Sequence, residues 1–144
     1  MHVEEISHED FTEDRFGPIF SSIQGETGKP YDPEHFFDGW RGWMALGIAR
    51  TWAAEGCILG AIFAPDIFSG LKRANVLFWF SLVAARGTPI TGLLFKAFED
   101  AARAAGCVDI QTAAHEALSP ELRKTGYRKH GFKESETIFV KELT

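Results

Sequence analysis

The stretch RGTPITGLL, residues 86–94, decides how this chain is read. It follows the apolar run VLFWFSLVAA (76–85) and opens a segment with helical spacing. A strand, a short glycine-containing turn and a helix together present free backbone N–H groups, an arrangement suited to a phosphate. Proline has no N–H to offer, and Pro89 stands in the middle of this turn. The stretch therefore reads either as a phosphate cradle short of one donor or as an ordinary turn.

Downstream, Thr88 is placed as an N-cap and Pro89 at the first helical position, where its missing N–H is tolerated. Ile90, Leu93, Leu94, Ala97, Phe98, Ala101 and Ala105 recur every three or four residues, and Gly106 supplies the stop. Upstream, ANVLFWFSLVA (74–84) is apolar on both faces, which predicts a central strand covered on both sides. IARTWAA (48–54) and CILGAIFA (57–64) read as strands joined at Glu55-Gly56, a hairpin signal, and PDIFSGLKR (65–73) as a loop. Residues 2–7 are a first strand. HEDFTEDRFGPIFSSIQ (8–24) has helical spacing through Phe11, Phe16, Ile19, Phe20 and Ile23, broken at Gly17-Pro18. GETGKPYDP (25–33) reads as a loop, and a second helix starts near Pro33 with Asp32 as N-cap. Toward the end come a short strand CVDIQT (107–112), a helix from N-cap Ser119 and Pro120 to Gly131, and a terminal strand FKESETIFVKEL (132–143). The order β-α-α-β-β-β-α-β-α-β defines an α+β protein.

At 144 residues the chain is expected to form one domain with a sizeable core. Its net charge of −5 is no electrostatic footprint for nucleic acid. Cys57 and Cys107 stand in apolar surroundings without a partner at metal-ligand spacing, so no metal is expected and both read as buried thiols. The acidic start MHVEEISHED lacks the apolar segment of a signal peptide, and no apolar run is long enough to span a membrane. A soluble, cytoplasmic protein is expected.

Element order and motifs together resemble the GNAT superfamily of N-acetyltransferases. The GNAT acyl-CoA loop, Arg-Gly-x-Gly-(Ile/Leu)-(Gly/Ala)-x-x-Leu, is met at Arg86, Gly87, Ile90 and Leu94, followed by the helix FKAFEDAARAAGC. A C-terminal Tyr-x-x-x-Gly-(Phe/Tyr) is met at Tyr127, Gly131 and Phe132. PDIFSGLKRANVLFWF (65–80) is similar to a phage-associated subgroup with an Asp-x-Phe-(Thr/Ser)-Gly loop before a Phe-Trp strand. The resemblance implies a mixed sheet whose fourth and fifth strands splay apart. The chain departs from the pattern where Pro89 and Thr91 replace two loop glycines. One lost charge-assisted hydrogen bond is worth about 1.5–3 kcal/mol, or one to two powers of ten in affinity, unless a Thr88 or Thr91 hydroxyl compensates.

The activity implied is transfer of an acetyl group from acetyl-CoA to an amine by direct attack through a tetrahedral intermediate. The backbone of Phe80, Ser81, Leu82 and Val83 would hold pantetheine, and the Ser81 N–H would stabilise the oxyanion. Arg86, Gly87, Thr88, Ile90, Thr91 and Gly92 would face the pyrophosphate. Ser119 stands where the family often has an asparagine contacting pantetheine. Tyr127 matches the position that often protonates the departing thiolate; the alternative reading is a packing tyrosine with its hydroxyl satisfied. The central strand carries no carboxylate base; His115 and Glu116 are the nearest candidates, and they also read as a solvated pair. His130 is taken as a helix C-terminal cation. Phe36, Phe37, Trp40, Trp43 and Trp52 read as core or, where exposed, as a wall for an apolar or planar acceptor, a nucleobase-linked amine included. A homodimer is a possible assembly. The competing function is a GNAT-fold protein that has lost catalysis and serves as a binding or structural component; a third reading is an unrelated α+β ligand-binding protein.

Overall fold

Glu55 and Gly56 close a two-residue hairpin between β2 (Ala49–Ala54) and β3 (Cys57–Pro65), with Ala54 opposite Cys57. β1 (Glu4–Ile6) joins β2 antiparallel, and β4 (Lys72–Ser81) joins β3 antiparallel. β5 (Asp109–Gln111) adds to β4 in parallel, giving a five-stranded mixed sheet in the order β1-β2-β3-β4-β5. The computed structural model describes residues 2–113, 120–135 and 138–143. They fall into two units, Met1–Ala113 and Ala114–Thr144.

In the first unit, α1 (Glu13–Thr27) and α2 (Pro33–Ala45) precede β2, and α3 (Ile90–Ala104) connects β4 to β5. Asp32 caps α2 as expected, accepting from the His35 N–H at 3.1 Å. Neighbouring residues of a strand point to opposite faces, and β2 shows which helix covers which. Thr51 accepts from the Trp40 indole of α2 at 2.8 Å, while Trp52 packs on Phe98 of α3, centroids 5.3 Å apart. Phe11, Phe16, Phe20, Phe36, Phe37, Trp40 and Phe78 fill the α1–α2 side, joined there by Phe80. Trp79 stacks on Phe95 on the α3 side. The core face of α3 runs through Leu94, Phe95, Phe98 and Ala102; Leu93, placed on it by periodicity, is exposed.

Several expectations are corrected. Pro18 does not break α1, and the helix runs on to Thr27 through residues expected to be loop. An interior proline costs about 3 kcal/mol. Burial of Phe16, Ile19, Phe20 and Ile23, each contributing about 1.5–3 kcal/mol, outweighs that cost. Thr88 does not cap α3: its hydroxyl donates to the Ala85 carbonyl at 2.6 Å, and Pro89, with helical angles, holds the N-cap position. β4 is not covered along both faces, because Asn75 and Leu77 remain exposed. The terminal strand is absent among the described residues. Residues 138–143 carry no regular structure, and Ile138, Phe139, Val140 and Leu143 are exposed. An alternating pattern becomes a strand only where a neighbouring ladder accepts its N–H and C=O groups.

In the second unit, α4 (Pro120–Lys129) ends in the motif Tyr127–Phe132. Gly131, at φ 88°, donates to the Arg128 carbonyl, and Phe132 donates to the Tyr127 carbonyl, both at 3.0 Å. That paired 5→2 and 6→1 bonding is a Schellman stop, which needs a left-handed residue and favours glycine there. The Tyr127 and Phe132 rings pack at 5.7 Å, the apolar contact that accompanies such a stop.

Candidate functional site: an open strand edge and a free helix start

β4 pairs with β5 only at Arg73↔Asp109, Ala74↔Ile110 and Asn75↔Gln111. Beyond Asn75 the two strands part, as expected between the fourth and fifth strands. The parting begins at an irregularity. On β3, Ala61 faces Val76 and its neighbour Gly60 faces Phe78, so Leu77 is an extra residue on β4, a β-bulge. Gly60 is required opposite it, since a Cβ there would lie 2.1 Å from Cζ of the Phe78 ring. Phe20, Phe36, Trp40 and Phe80 hold that ring in place.

Past the bulge, alternate residues of β4 turn their backbone groups toward and away from β3. Leu82 donates to the Gly56 carbonyl at 2.8 Å, so Phe80, two residues earlier, turns the same way. Ser81, between them, turns its N–H and C=O toward the open edge. Its carbonyl accepts from Nε of Arg86 at 3.1 Å. Its side chain is buried against Cys57, Oγ to Sγ 3.3 Å, and burial raises the Cys57 thiol pKa above its ordinary value. Cys57 is a buried thiol as expected, whereas Cys107 is partly exposed.

The chain then makes a 3-10 turn, Val83–Ala85, and enters the loop. Ala85 donates to Leu82, Arg86 to Val83, and Thr88 to Ala85, so these N–H groups are engaged. Gly87, at φ 78°, turns the chain where a side chain would be strained. The first turn of a helix leaves its N–H groups without helical acceptors, here those of Ile90, Thr91 and Gly92. Among the described residues, no side chain caps them. Neither threonine hydroxyl makes up for Pro89: Thr88 donates to Ala85, and Thr91 donates to the Thr88 carbonyl at 3.3 Å. Arg86 holds both carboxylate oxygens of Glu26, at 2.6 and 2.7 Å. Glu26 lies 60 residues away in the last turn of α1, and no local pattern announces that partnership.

Of the other site residues, Tyr127 lies in the second unit on the last turn of α4. Ser119, His115 and Glu116 lie outside the described residues. His130 follows α4, after Arg128 and Lys129 in its final turn. Phe37, Trp40 and Trp52 are buried, Phe36 is partly buried, and Trp43 is 46% exposed, 6.1 Å from the Trp40 ring. Ahead of β4, Asp66 organises the DIFSG loop. Its carboxylate accepts from the N–H groups of Phe68 (3.1 Å) and Ser69 (2.9 Å) and from the Ser69 hydroxyl (3.0 Å). Those bonds, Ser69 first, hold its pKa below the usual carboxylate value. Among the described residues, no three His, Cys, Asp or Glu side chains are grouped to hold a metal ion, and no helix is long and apolar enough to cross a membrane.

In sequence the chain matches no family model and no curated protein. In structure it is similar to a ribosomal-protein-alanine N-acetyltransferase from Brucella melitensis biovar Abortus 2308. The TM-score is 0.76 at 14% identity, covering 99% of this chain and 100% of the other. A predicted acetyltransferase with acetyl-CoA from Clostridium acetobutylicum gives 0.76 at 14%, covering 99% and 96%. A transcriptional regulator from Bacillus halodurans C-125 gives 0.76 at 20%, covering 99% and 99%. The fold is the GNAT fold: a mixed sheet with a parallel β4–β5 pair that separates, and a helix following the separation.

Proposed function

We propose that this protein is an N-acyltransferase that moves an acetyl group from acetyl-CoA to an amine. One observation carries the reading. Within twelve residues, Ser81–Gly92, a strand edge unpaired among the described residues is followed by a helix start whose N–H groups no described side chain caps. The first suits an extended amide chain such as pantetheine, bound as a further strand. The second suits a pyrophosphate. In this reading the Ser81 N–H meets the developing oxyanion during direct attack of the amine, and Gly87, Ile90, Thr91 and Gly92 supply N–H groups to phosphate. Val83, at the mouth of the strand, lines the pantetheine path, while the N–H groups of Phe80 and Leu82 serve the sheet. Tyr127 protonates the departing thiolate, a task suited to a phenol. Trp43 offers an exposed ring to a planar acceptor, a small-molecule or nucleobase-linked amine. Use of acetyl-CoA assigns the work to the cytoplasm. The Asp66 loop is the feature by which the chain groups with phage-associated GNAT proteins.

Calorimetric titration with acetyl-CoA tests the donor site, with binding expected and its absence overturning the reading. Transfer to a panel of amines then tests catalysis. Tyr127→Phe is expected to lower kcat about 100-fold with acetyl-CoA affinity unchanged. Full turnover with a lowered melting temperature would assign Tyr127 to packing rather than to the chemistry. A binding-only role is the second reading, favoured by the engagement of both threonine hydroxyls and Arg86 inside the protein. Acetyl-CoA binding without turnover of any amine would select it.

A further inference from the structure

We infer that Glu26 is a built-in competitor for the anion seat of Arg86, so that donor binding releases the end of α1. The inference rests on the acetyl-CoA reading above. Arg86 is the only guanidinium in the stretch from Ser81 to Gly92, and its Nη2 donates to both oxygens of one carboxylate. A guanidinium serves carboxylate and phosphate alike, so a phosphate reaching Arg86 must displace Glu26 from Nη2 or share the guanidinium with it. The Nε–H of the same side chain is fixed on the Ser81 carbonyl, which keeps the guanidinium beside the open edge of β4. Glu26 is thus an internal occupant held in place by the fold.

Glu26 sits in the last turn of α1, which has no basic residue to complement its carbonyl end, and Gly28 closes the helix through a 2.8 Å bond to Gln24. A carboxylate is unfavourable at that end of a helix dipole, and Arg86 offsets the penalty. When phosphate displaces Glu26 from Nη2, the carboxylate loses that compensation, and the α1 terminus and the following link to α2 loosen. Phe36, Phe37, Trp40 and Trp43 all lie on α2. Donor occupancy is therefore coupled to the aromatic helix by a direct exchange of anions, and linkage requires the coupling to run both ways.

The test compares Glu26→Gln with wild type and with Glu99→Gln. Glu99 pairs with Arg103 near the far end of α3, and its substitution carries the same change in net charge. Acetyl-CoA should bind Glu26→Gln about two- to fivefold more tightly than wild type, the range for removing one partly exposed ion pair. Glu99→Gln should match wild type. Hydrogen exchange should quicken at residues 24–30 when wild type binds acetyl-CoA, and should already be quick in Glu26→Gln without it. Equal affinity for Glu26→Gln and wild type, or equal tightening by Glu99→Gln, would overturn the inference. If neither protein binds acetyl-CoA, the donor reading falls, and the seat is tested with inorganic pyrophosphate. A larger thermal shift for Glu26→Gln than for wild type would uphold the competition, and equal shifts would end it.

Discussion

From Arg73 to Asn75, β4 has a strand on each side, whereas from Phe78 to Ser81 the strand pairing seen among the described residues is with β3. Both halves are extended and both lie in the same ladder with β3. The first half is fastened to β5 by three register pairs and by Arg73, whose Nε donates to Asp109 at 2.7 Å. The second half keeps its bonds to β3 and leaves Ser81 facing outward. Between them sits the extra residue Leu77. A bulge sharpens the local twist, and this one, two residues past the last β5 pair, divides a structural half-strand from one whose edge is free among the described residues. A β4 paired along its whole length would have no backbone left to offer a ligand.

The largest expected effect comes from removing what seats the bulge. Gly60→Ala drives a methyl into the Phe78 ring, which its aromatic neighbours prevent from moving. Overpacking of this kind should cost about 3 kcal/mol and lower Tm by roughly 10 °C. Phe78→Leu in the same chain should restore part of the loss. Thermal unfolding of the two variants beside wild type checks it, and an unchanged Tm for Gly60→Ala would mean the ring is not pinned over Gly60.

How much of this was legible in the sequence follows from where each signal lies. Local chemistry was readable: Asp32 before Pro33, Glu55-Gly56 between two apolar runs, and Gly106 after α3 each state their geometry within a few residues. The turn at 86–94 was legible as a strand-to-helix junction, and the resemblance of order and motif to GNAT proteins reached the fold. Three things were not legible. Pro18 speaks locally against a helix, and only the burial of Phe16, Ile19 and Phe20 overrules it. Leu77 is one apolar residue among many, and its role as a bulge depends on Gly60, seventeen positions earlier and on another strand. The Arg86–Glu26 pair joins residues with no common pattern, and its donor was read as free for phosphate. The threonine hydroxyls illustrate the same limit, because composition supplied two donors and geometry turned both inward.

An intermediate effect is expected at the loop that the open half of β4 feeds. Pro89→Gly returns an N–H to a position with helical angles at the start of α3. A donor to a charged group is worth about 1.5–3 kcal/mol, less about 1 kcal/mol for the added freedom of glycine. Acetyl-CoA affinity should therefore rise about two- to thirtyfold, while Tm falls slightly. Calorimetry decides it: an unchanged or weakened affinity would show a cradle already complete without that donor.

The smallest effect belongs to the fastened half of β4. Asp109→Asn removes one charge from a partly exposed pair, which should cost at most about 1 kcal/mol in global stability. The amide oxygen can still accept from Nε of Arg73. Asp66, 3.7 Å from the same guanidinium, keeps a negative neighbour beside it, because the Ser69 bonds favour its ionised form. That protection is present above the ordinary Asp range and fades only as pH falls through the depressed value, so at neutral pH Arg73 is never left without a carboxylate. The parallel ladder, by contrast, has just three register pairs, and it depends on this contact more than the whole fold does. Amide exchange should therefore quicken at residues 109–111 by several times more than at residues 78–81, which are tied to β3 instead. Urea unfolding and peptide-resolved hydrogen exchange measure the two quantities together. If residues 78–81 quickened as much as residues 109–111, the two halves of β4 would be one cooperative unit. The bulge at Leu77 could then no longer be said to separate them.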